Sequence, residues 1–365
     1  MLAGIPDGSV IDLLVISHFD HDHVNGLDHL SAEIRTRGIN VRRVWAPILG
    51  KIEALYAAAS TPAPTPWYLQ LLDDPRGQLS ELFEGAEVTF ITPDGAPILL
   101  GESDGGPAEE PITVIPAPGT RGIAVQAGPS GNVELLWEIQ PYVVPSTLVG
   151  AQTVAQAVQK AIGKRIDQCT LDDLRKIAAD TDLKKAFHDA VMQHHRLPAT
   201  QRASSSRTGA NLSTLCLYSG PVSPYQWCHF RRGWAPTATN PAAIPIAPAW
   251  LGTGDAGLKD MRDVQALERG LTASRLDRVG IASAPHHGSR LDSGAPLWDA
   301  LPNVRKVTIE GDVPAGGRGQ VHPHVPVLTE LKRRNLHVHV AASPGTPASP
   351  PVTAGDFNWT DKRIR

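Results

Sequence analysis

The sequence contains few of the features that mark secreted, membrane-bound or strongly charged proteins. It has three cysteines, and no two of them form a Cys-x-x-Cys pair. A disulfide framework is therefore not expected, and the sequence predicts a cytoplasmic protein in a reducing environment. No apolar run approaches the roughly 18 residues that a transmembrane helix needs, so no membrane association is expected.

A large imbalance of charge is also missing. The 34 basic and 37 acidic side chains give a net charge of -3, so contact with nucleic acid would need a local basic patch. The chain does have 41% hydrophobic residues, enough for a core, and its 33 glycines and 32 prolines indicate many loops. Its 365 residues suffice for one large domain with insertions or for two domains.

The stretch that carries the most chemistry is residues 17–26, which read Ser-His-Phe-Asp-His-Asp-His-Val-Asn-Gly. An apolar, β-branched run precedes it and predicts a buried strand, so these side chains follow a strand end. In an extended chain His18, Asp20 and Asp22 would point to one side, and His23 would turn in as the loop bends. Imidazole and carboxylate ligands together suit zinc, manganese or iron.

Two later stretches place the same kinds of side chain at predicted strand ends. Residues 252–255 read Gly-Thr-Gly-Asp after a short apolar segment, and glycines let a backbone pass close to an ion. Residues 286–289 read His-His-Gly-Ser after the apolar residues 279–285. The first pattern is weak by itself, because many turns have it.

Residues 18–23 resemble the first metal motif of the metallo-β-lactamase superfamily, His-x-His-x-Asp-His, with Asp20 in place of the second histidine. This form is similar to the branch that contains the hydrolase domain of the competence protein ComEC. The Thr-Gly-Asp at 253–255, the His-His-Gly-Ser at 286–289 and the His-Pro-His at 322–324 resemble the same branch, in the same order. Thr92 stands where many members of the superfamily have a further metal-binding histidine.

The resemblance implies a hydrolase that holds two divalent metal ions, zinc or manganese. The implied metal ligands are His18, Asp20, Asp22, His23, Asp255 and His286, with Asp255 shared by both ions. Asp22 would also orient the attacking water, and His287 would give a proton to the leaving group; which of His286 and His287 is the ligand stays open. Ser289 would contact the substrate, and His322 would either reach the edge of the site or cap the following helix.

The implied fold is α/β (α+β), a four-layer αββα sandwich that spans residues 1–340. Amphipathic spacing predicts a helical insertion at about 146–206, and a loop excursion is expected at about 221–248. Residues 341–365, rich in proline, alanine and serine, are expected to be a disordered tail. Members of the superfamily have strands ahead of the first metal motif, which are apparently missing here; a longer N-terminal segment or a partner chain would complete the sheet.

Three classes of function are compatible with these residues. A phosphodiesterase or nuclease is favoured by the ComEC-like motifs and by basic segments, one of which holds Arg202 and Arg207 as candidate phosphate contacts or as part of a solvated linker. A small-molecule hydrolase acting on a lactone, lactam or thioester is favoured by the absence of net positive charge. A non-catalytic sensor or scaffold is favoured by the missing strands. The helical insertion would be a substrate cap, a partner-docking face or an inert addition.

Overall fold

A computed structural model describes most of the chain in several separate ranges. These ranges are residues 2, 4–92, 97–98, 115–116, 123–126, 135–148, 151–195, 212–221, 249–311 and 322–341. The chain forms two compact units, the first from Met1–Gly105 and Val143–Leu215 and the second from Gly106–Tyr142 and Cys216–Arg365. Arg202, Arg207, most of the predicted loop excursion and almost all of the predicted tail lie outside the described residues.

The first unit contains two small sheets. The strands that form them are β1 (Val10–Ile11), β2 (Leu14–Val15), β3 (Asn40–Val41), β4 (Arg43–Pro47), β5 (Glu87–Ile91) and β6 (Pro97–Ile98). β1 pairs with β3, and the other four lie in the order β2-β4-β5-β6. β2, β4 and β5 are parallel, so the residues that follow β2 emerge at the same edge as the ends of β4 and β5.

Eight helices complete the described part of the first unit. They are α1 (His21–Val24), α2 (Leu27–Thr36), α3 (Lys51–Ser60), α4 (Pro66–Asp73), α5 (Pro75–Leu82), α6 (Gln152–Ile162), α7 (Leu171–Ala179) and α8 (Thr181–His195). α4 begins at a proline, and the side chain of Thr65 accepts a hydrogen bond from the Tyr68 N–H at its N-terminus. Proline fits the first helical turn because the amide hydrogen that it lacks has no partner there.

The predicted helical insertion consists of α6, α7 and α8, and it packs into the core of the first unit. Val154 of α6, Leu174 and Ile177 of α7 and Phe187 of α8 are buried in one apolar cluster with Leu55 of α3. The amphipathic pattern is thus explained by burial within the unit. Its suggested roles as a substrate cap or docking face stay predictions.

An eight-stranded mixed sheet dominates the second unit. Its strands are β7 (Ile115–Pro116), β8 (Ile123–Gln126), β9 (Leu135–Val144), β10 (Thr214–Pro221), β11 (Ala249–Gly252), β12 (Val279–Ser283), β13 (Lys306–Glu310) and β14 (His337–Ala341), in the spatial order β14-β13-β12-β11-β10-β9-β8-β7. β11 to β14 are parallel to one another, whereas β10 is antiparallel to β11. The carboxyl ends of β11, β12 and β13 therefore share one edge, which is where ligands bind in open α/β sheets.

Four α-helices in the described residues flank these strands in the sequence. They are α9 (Met261–Leu271), α10 (Ala273–Leu276), α11 (Ala295–Asp299) and α12 (Val325–Arg333). The prediction of a mixed α/β protein is confirmed, and the apolar residues 279–285 contain β12, as expected. No helix in the described residues is long and apolar enough to cross a membrane.

A buried ion network joins the second unit's sheet to its helices. Both carboxylate oxygens of Glu138 accept hydrogen bonds from Arg275, at 2.9 and 2.8 Å, and Arg278 lies 3.4 Å away. All three side chains are at most 10% exposed. We expect Glu138→Ala to lower the free energy of unfolding by about 3–5 kcal/mol, because it leaves two guanidinium groups buried without their anion. Urea unfolding followed by tryptophan fluorescence measures this loss.

A solvent-exposed ion pair with the same two-point geometry provides a control. Arg165 and Asp167 form a two-point ion pair with both distances at 3.0 Å, but both side chains are exposed. Because solvent screens such pairs, Asp167→Ala should leave the urea midpoint unchanged. Equal midpoints for the Glu138 and Asp167 variants would show that burial of the Glu138 network does not matter for stability.

Candidate metal centre

The first candidate group of ligands, here called the first cluster, comprises His18, Asp20, Asp22 and His23 in the first unit. His18 follows β2 and is fully buried. Its Nδ1 lies 3.0 Å from the Ser17 hydroxyl, and its Nε2 lies 3.5 Å from Oδ2 of Asp20. The backbone is held on the Ser17 side, where the Leu215 N–H donates to the Ser17 carbonyl at 2.7 Å. The buried imidazole is thus fixed with Nε2 beside a carboxylate.

The chain is extended only as far as Asp20, because α1 begins at His21. The expected alternation of His18, Asp20 and Asp22 therefore stops at Asp20 and does not include Asp22. Asp22 lies in the first turn of the helix with its side chain 72% exposed, and its Oδ2 is 3.7 Å from Nε2 of His23. The His23 ring lies 3.9 Å from the His18 ring, centroid to centroid. A helical turn, not a strand, thus places His23 beside His18.

Tyr68 of α4 supports this cluster, and no sequence motif pointed to it. Its buried hydroxyl donates to the Phe19 carbonyl at 2.9 Å, and its ring meets the edge of the His21 ring at 5.0 Å. Burial, followed by the charge of Asp20, raises the pKa of Tyr68 above its usual value, so the hydroxyl stays a neutral donor. Tyr68 therefore holds the backbone between His18 and Asp20 in place.

The second cluster comprises Asp255, His286, His287, Asp292 and His322 in the second unit. Asp255 is buried in the turn after β11, and the two histidines follow β12. The two turns are fastened together, because the Thr253 N–H donates to the Ser283 hydroxyl at 2.8 Å and the His286 N–H donates to the Gly254 carbonyl at 2.9 Å. The parallel strands thus deliver Asp255 and both histidines to one edge of the sheet.

The backbone of the histidine pair is strained. His286 and His287 have φ values of 46° and 52°, in the left-handed region that side chains with a Cβ rarely adopt. Gly288 follows at φ 78°, and a Cβ there would lie 2.8 Å from Cβ of Pro323. The glycine of the His-His-Gly-Ser motif is therefore required by both conformation and space. The turn directs two successive imidazoles toward the same carboxylate.

Each histidine of the pair presents Nε2 to a different oxygen of Asp255. The separations are 3.5 Å from His286 to Oδ2 and 3.8 Å from His287 to Oδ1. These are too long for direct hydrogen bonds, but they suit ligand atoms that each lie about 2.0–2.2 Å from a bound ion. The other nitrogens are engaged, Nδ1 of His286 by Asp292 at 2.9 Å and Nδ1 of His287 by the Glu310 carbonyl at 3.1 Å. The donor set therefore fits zinc or manganese.

His322 belongs to the second cluster by stacking. Its ring lies 5.4 Å from the His286 ring at an angle of 22°, and its buried Nδ1 has no hydrogen-bond partner among the described residues. Burial, with smaller effects of the neighbouring histidines, lowers the pKa of His322 to about 4, so the ring is neutral near pH 7. The N-cap of α12 is His324, so capping is not the role of His322.

Ser289 was predicted to contact the substrate. The structure shows that its hydroxyl, like two arginines at the end of α12, is engaged by other groups of the chain. Ser289 is 2% exposed, and its hydroxyl accepts a hydrogen bond from the Leu291 N–H at 3.2 Å, so it stabilises the turn. Arg333 and Arg334 both donate to Glu330, and these bonds lower the pKa of that carboxyl to about 2. Residues 332–334 read Lys-Arg-Arg, and the two arginines of this basic segment are thus neutralised within the chain and are poor phosphate contacts.

Comparisons of the chain with protein-family models, with curated proteins and with solved structures find no match. The two clusters, with the motifs that they contain, are therefore the basis for proposing a function.

Proposed function

We propose that this protein is a metal-dependent hydrolase with a metallo-β-lactamase-like αββα sandwich, and that it cleaves phosphodiesters. The observation that carries the proposal is the arrangement in the second cluster. Two imidazole Nε2 atoms face the two oxygens of one buried carboxylate at the carboxyl ends of parallel strands. A buried carboxylate is costly, and the convergence of two partly exposed imidazoles on it favours a functional site over a structural one.

The motif resemblance gives the proposed ligands of two zinc or manganese ions, which are His18, Asp20, Asp22, His23, Asp255 and His286. When bound, the ions would supply a hydroxide at neutral pH by lowering the pKa of water. The buried His18 and Asp255 and the partly exposed His286 would each supply a ligand atom. The exposed carboxylate of Asp22 is free to orient the attacking water or to accept its proton.

His287 suits the role of general acid. Its Nδ1 lies 3.1 Å from the Glu310 carbonyl, which can only accept, so Nδ1 carries a proton and the ring orientation is fixed. A second proton on Nε2 would then point to the side of Asp255. From there it can pass to the oxygen of a leaving group, and the Glu310 carbonyl stabilises the charged ring before transfer.

A second candidate is a hydrolase for small uncharged substrates, such as a lactone or a thioester. It is favoured by the net charge of -3 and by the pairing of Arg333 and Arg334 with Glu330. The phosphodiester hypothesis depends instead on the motif resemblance and on Arg202 and Arg207. The two candidates differ in whether binding depends on salt, because each phosphate contact releases counterions.

We expect the wild-type protein, loaded with Mn²⁺ or Zn²⁺, to cleave single- or double-stranded DNA and not a neutral lactone or thioester. Replacing both Arg202 and Arg207 with alanine should weaken DNA binding and reduce the slope of log K against log salt by about 0.9 for each phosphate group that the protein no longer neutralises. Fluorescence anisotropy across a salt series measures both quantities. The matched control is Arg333→Ala, since that side chain is already paired with Glu330. Cleavage of only the neutral substrates, with DNA binding insensitive to salt, would favour the second candidate.

A further inference from the structure

Asp292 lies six residues after His286, outside the motif that contains the histidines. Its side chain is completely buried, and its Oδ2 lies 2.9 Å from Nδ1 of His286. The backbone holds it there, because the Asp292 N–H donates to the Ser289 carbonyl at 3.2 Å and the Asp292 carbonyl accepts from the Leu258 N–H at 2.8 Å. The carboxylate thus has a fixed position against one nitrogen of His286.

This contact decides which nitrogen of His286 carries the proton. An ionised carboxylate can only accept hydrogen bonds, so Nδ1 of His286 must be the protonated nitrogen. Nε2 then carries no proton, and it is the nitrogen that faces Asp255 at 3.5 Å. The neutral ring is therefore prepared to bind a cation on that side.

The neighbouring His287 has a weaker partner. Its Nδ1 faces the neutral backbone carbonyl of Glu310 at 3.1 Å, a longer contact than the 2.9 Å from His286 to Asp292. Hydrogen bonds to a charged acceptor are stronger, and a carboxylate partner raises the basicity of a ligating imidazole. The two histidines therefore differ in how well they can bind a metal ion.

We propose that Asp292 is a positioning residue that makes Nε2 of His286, in preference to that of His287, the metal-ligating atom. The inference rests on the proposed metal-dependent function, and it assigns to Asp292 a role that the sequence motifs do not. It also leaves His287 available for proton transfer, since the stronger ligand is the one that a carboxylate supports.

Metal affinity is the first test. Asp292→Ala should weaken binding of Mn²⁺ or Zn²⁺ by about 10–100-fold, the usual effect of removing the partner of a ligating histidine. Asp292→Asn, which keeps the shape and an acceptor oxygen, should lose less. The matched control is Ser293→Ala, because that hydroxyl donates to the Pro285 carbonyl in the same turn at 3.3 Å without contacting the imidazole. Competition with a chelating dye gives the dissociation constants, and Ser293→Ala should match the wild type.

The second test does not need bound metal. Nitrogen-15 NMR of the metal-free protein, labelled at histidine, should show His286 protonated at Nδ1 in the wild type and a mixture of tautomers in Asp292→Ala. His286→Gln identifies the signal, and Asp292→Asn serves if the alanine variant does not fold. An unchanged tautomer and unchanged metal affinity would overturn the role of Asp292. A wild-type protein that binds no metal would overturn the proposed function, whereas the tautomer of His286 would still decide whether Asp292 positions the ring.

Discussion

Replacing Asp255 with alanine is expected to reduce the metal content of the purified protein from about two equivalents to less than one, and to reduce hydrolysis to the level of the metal-free protein. The physical reason is that Asp255 is the buried carboxylate toward which both His286 and His287 point. Without it, no carboxylate faces the Nε2 atoms of the two histidines to balance a divalent ion. Elemental analysis after gel filtration measures the metal, and a phosphodiester assay measures the activity.

A second buried carboxylate of the same unit separates loss of metal from loss of folding. Asp263 of α9 is 7% exposed, close to the 4% of Asp255, and it lies outside the second cluster. Asp263→Ala should keep its metal even if its unfolding midpoint falls. Should Asp255→Ala retain the full metal content while both variants stay folded, the assignment of Asp255 as a shared ligand is wrong.

Much of the secondary structure could be predicted because local patterns determine it. The apolar residues 279–285 contain β12, and the four-residue spacing from Val154 to Val158 lies in α6. The patterns do not reveal what an apolar face packs against. The helices after residue 146 were expected to be an addition to a β-rich core, yet Leu174, Ile177 and Phe187 lie in the core of the first unit. Such contacts join residues far apart in the sequence, and periodicity carries no information about them.

In the candidate site, too, residues that follow local sequence patterns could be predicted, and contacts between residues distant in the sequence could not. His18, Asp255 and His286 could be chosen from the sequence, because each ligand type follows a predicted strand. The helical turn at His21 and the left-handed backbone of His286 could not, since short polar segments have no periodicity. Tyr68 was missed because its contact with Phe19 spans 49 positions. The sequence contains one usable signal for Asp292, because an aspartate follows the histidine pair within a few residues. Its burial is visible only in the fold.

His287→Ala is expected to lower the turnover number for a phosphodiester by about 10²–10⁴-fold, the usual contribution of a general acid. Metal content and DNA affinity should stay near those of the wild type, because the carboxylate-supported ligand is His286 and because a proton given to the leaving group affects turnover more than binding. The measurements are elemental analysis, anisotropy and steady-state kinetics on the same preparations. Use of an activated leaving group, such as 4-nitrophenolate, should shrink the loss, because such a group needs little protonation.

The dependence on the leaving group distinguishes proton transfer from a structural role. If His287 only stabilised the turn, its removal would slow activated and unactivated substrates by the same factor. His339→Ala is the matched control, since it removes an imidazole from β14, outside the second cluster, and should leave the kinetics unchanged. If His287→Ala loses metal while His286→Ala retains it, His287 is the metal ligand and His286 the candidate general acid. That result would also contradict the proposal that Asp292 makes His286 the ligand.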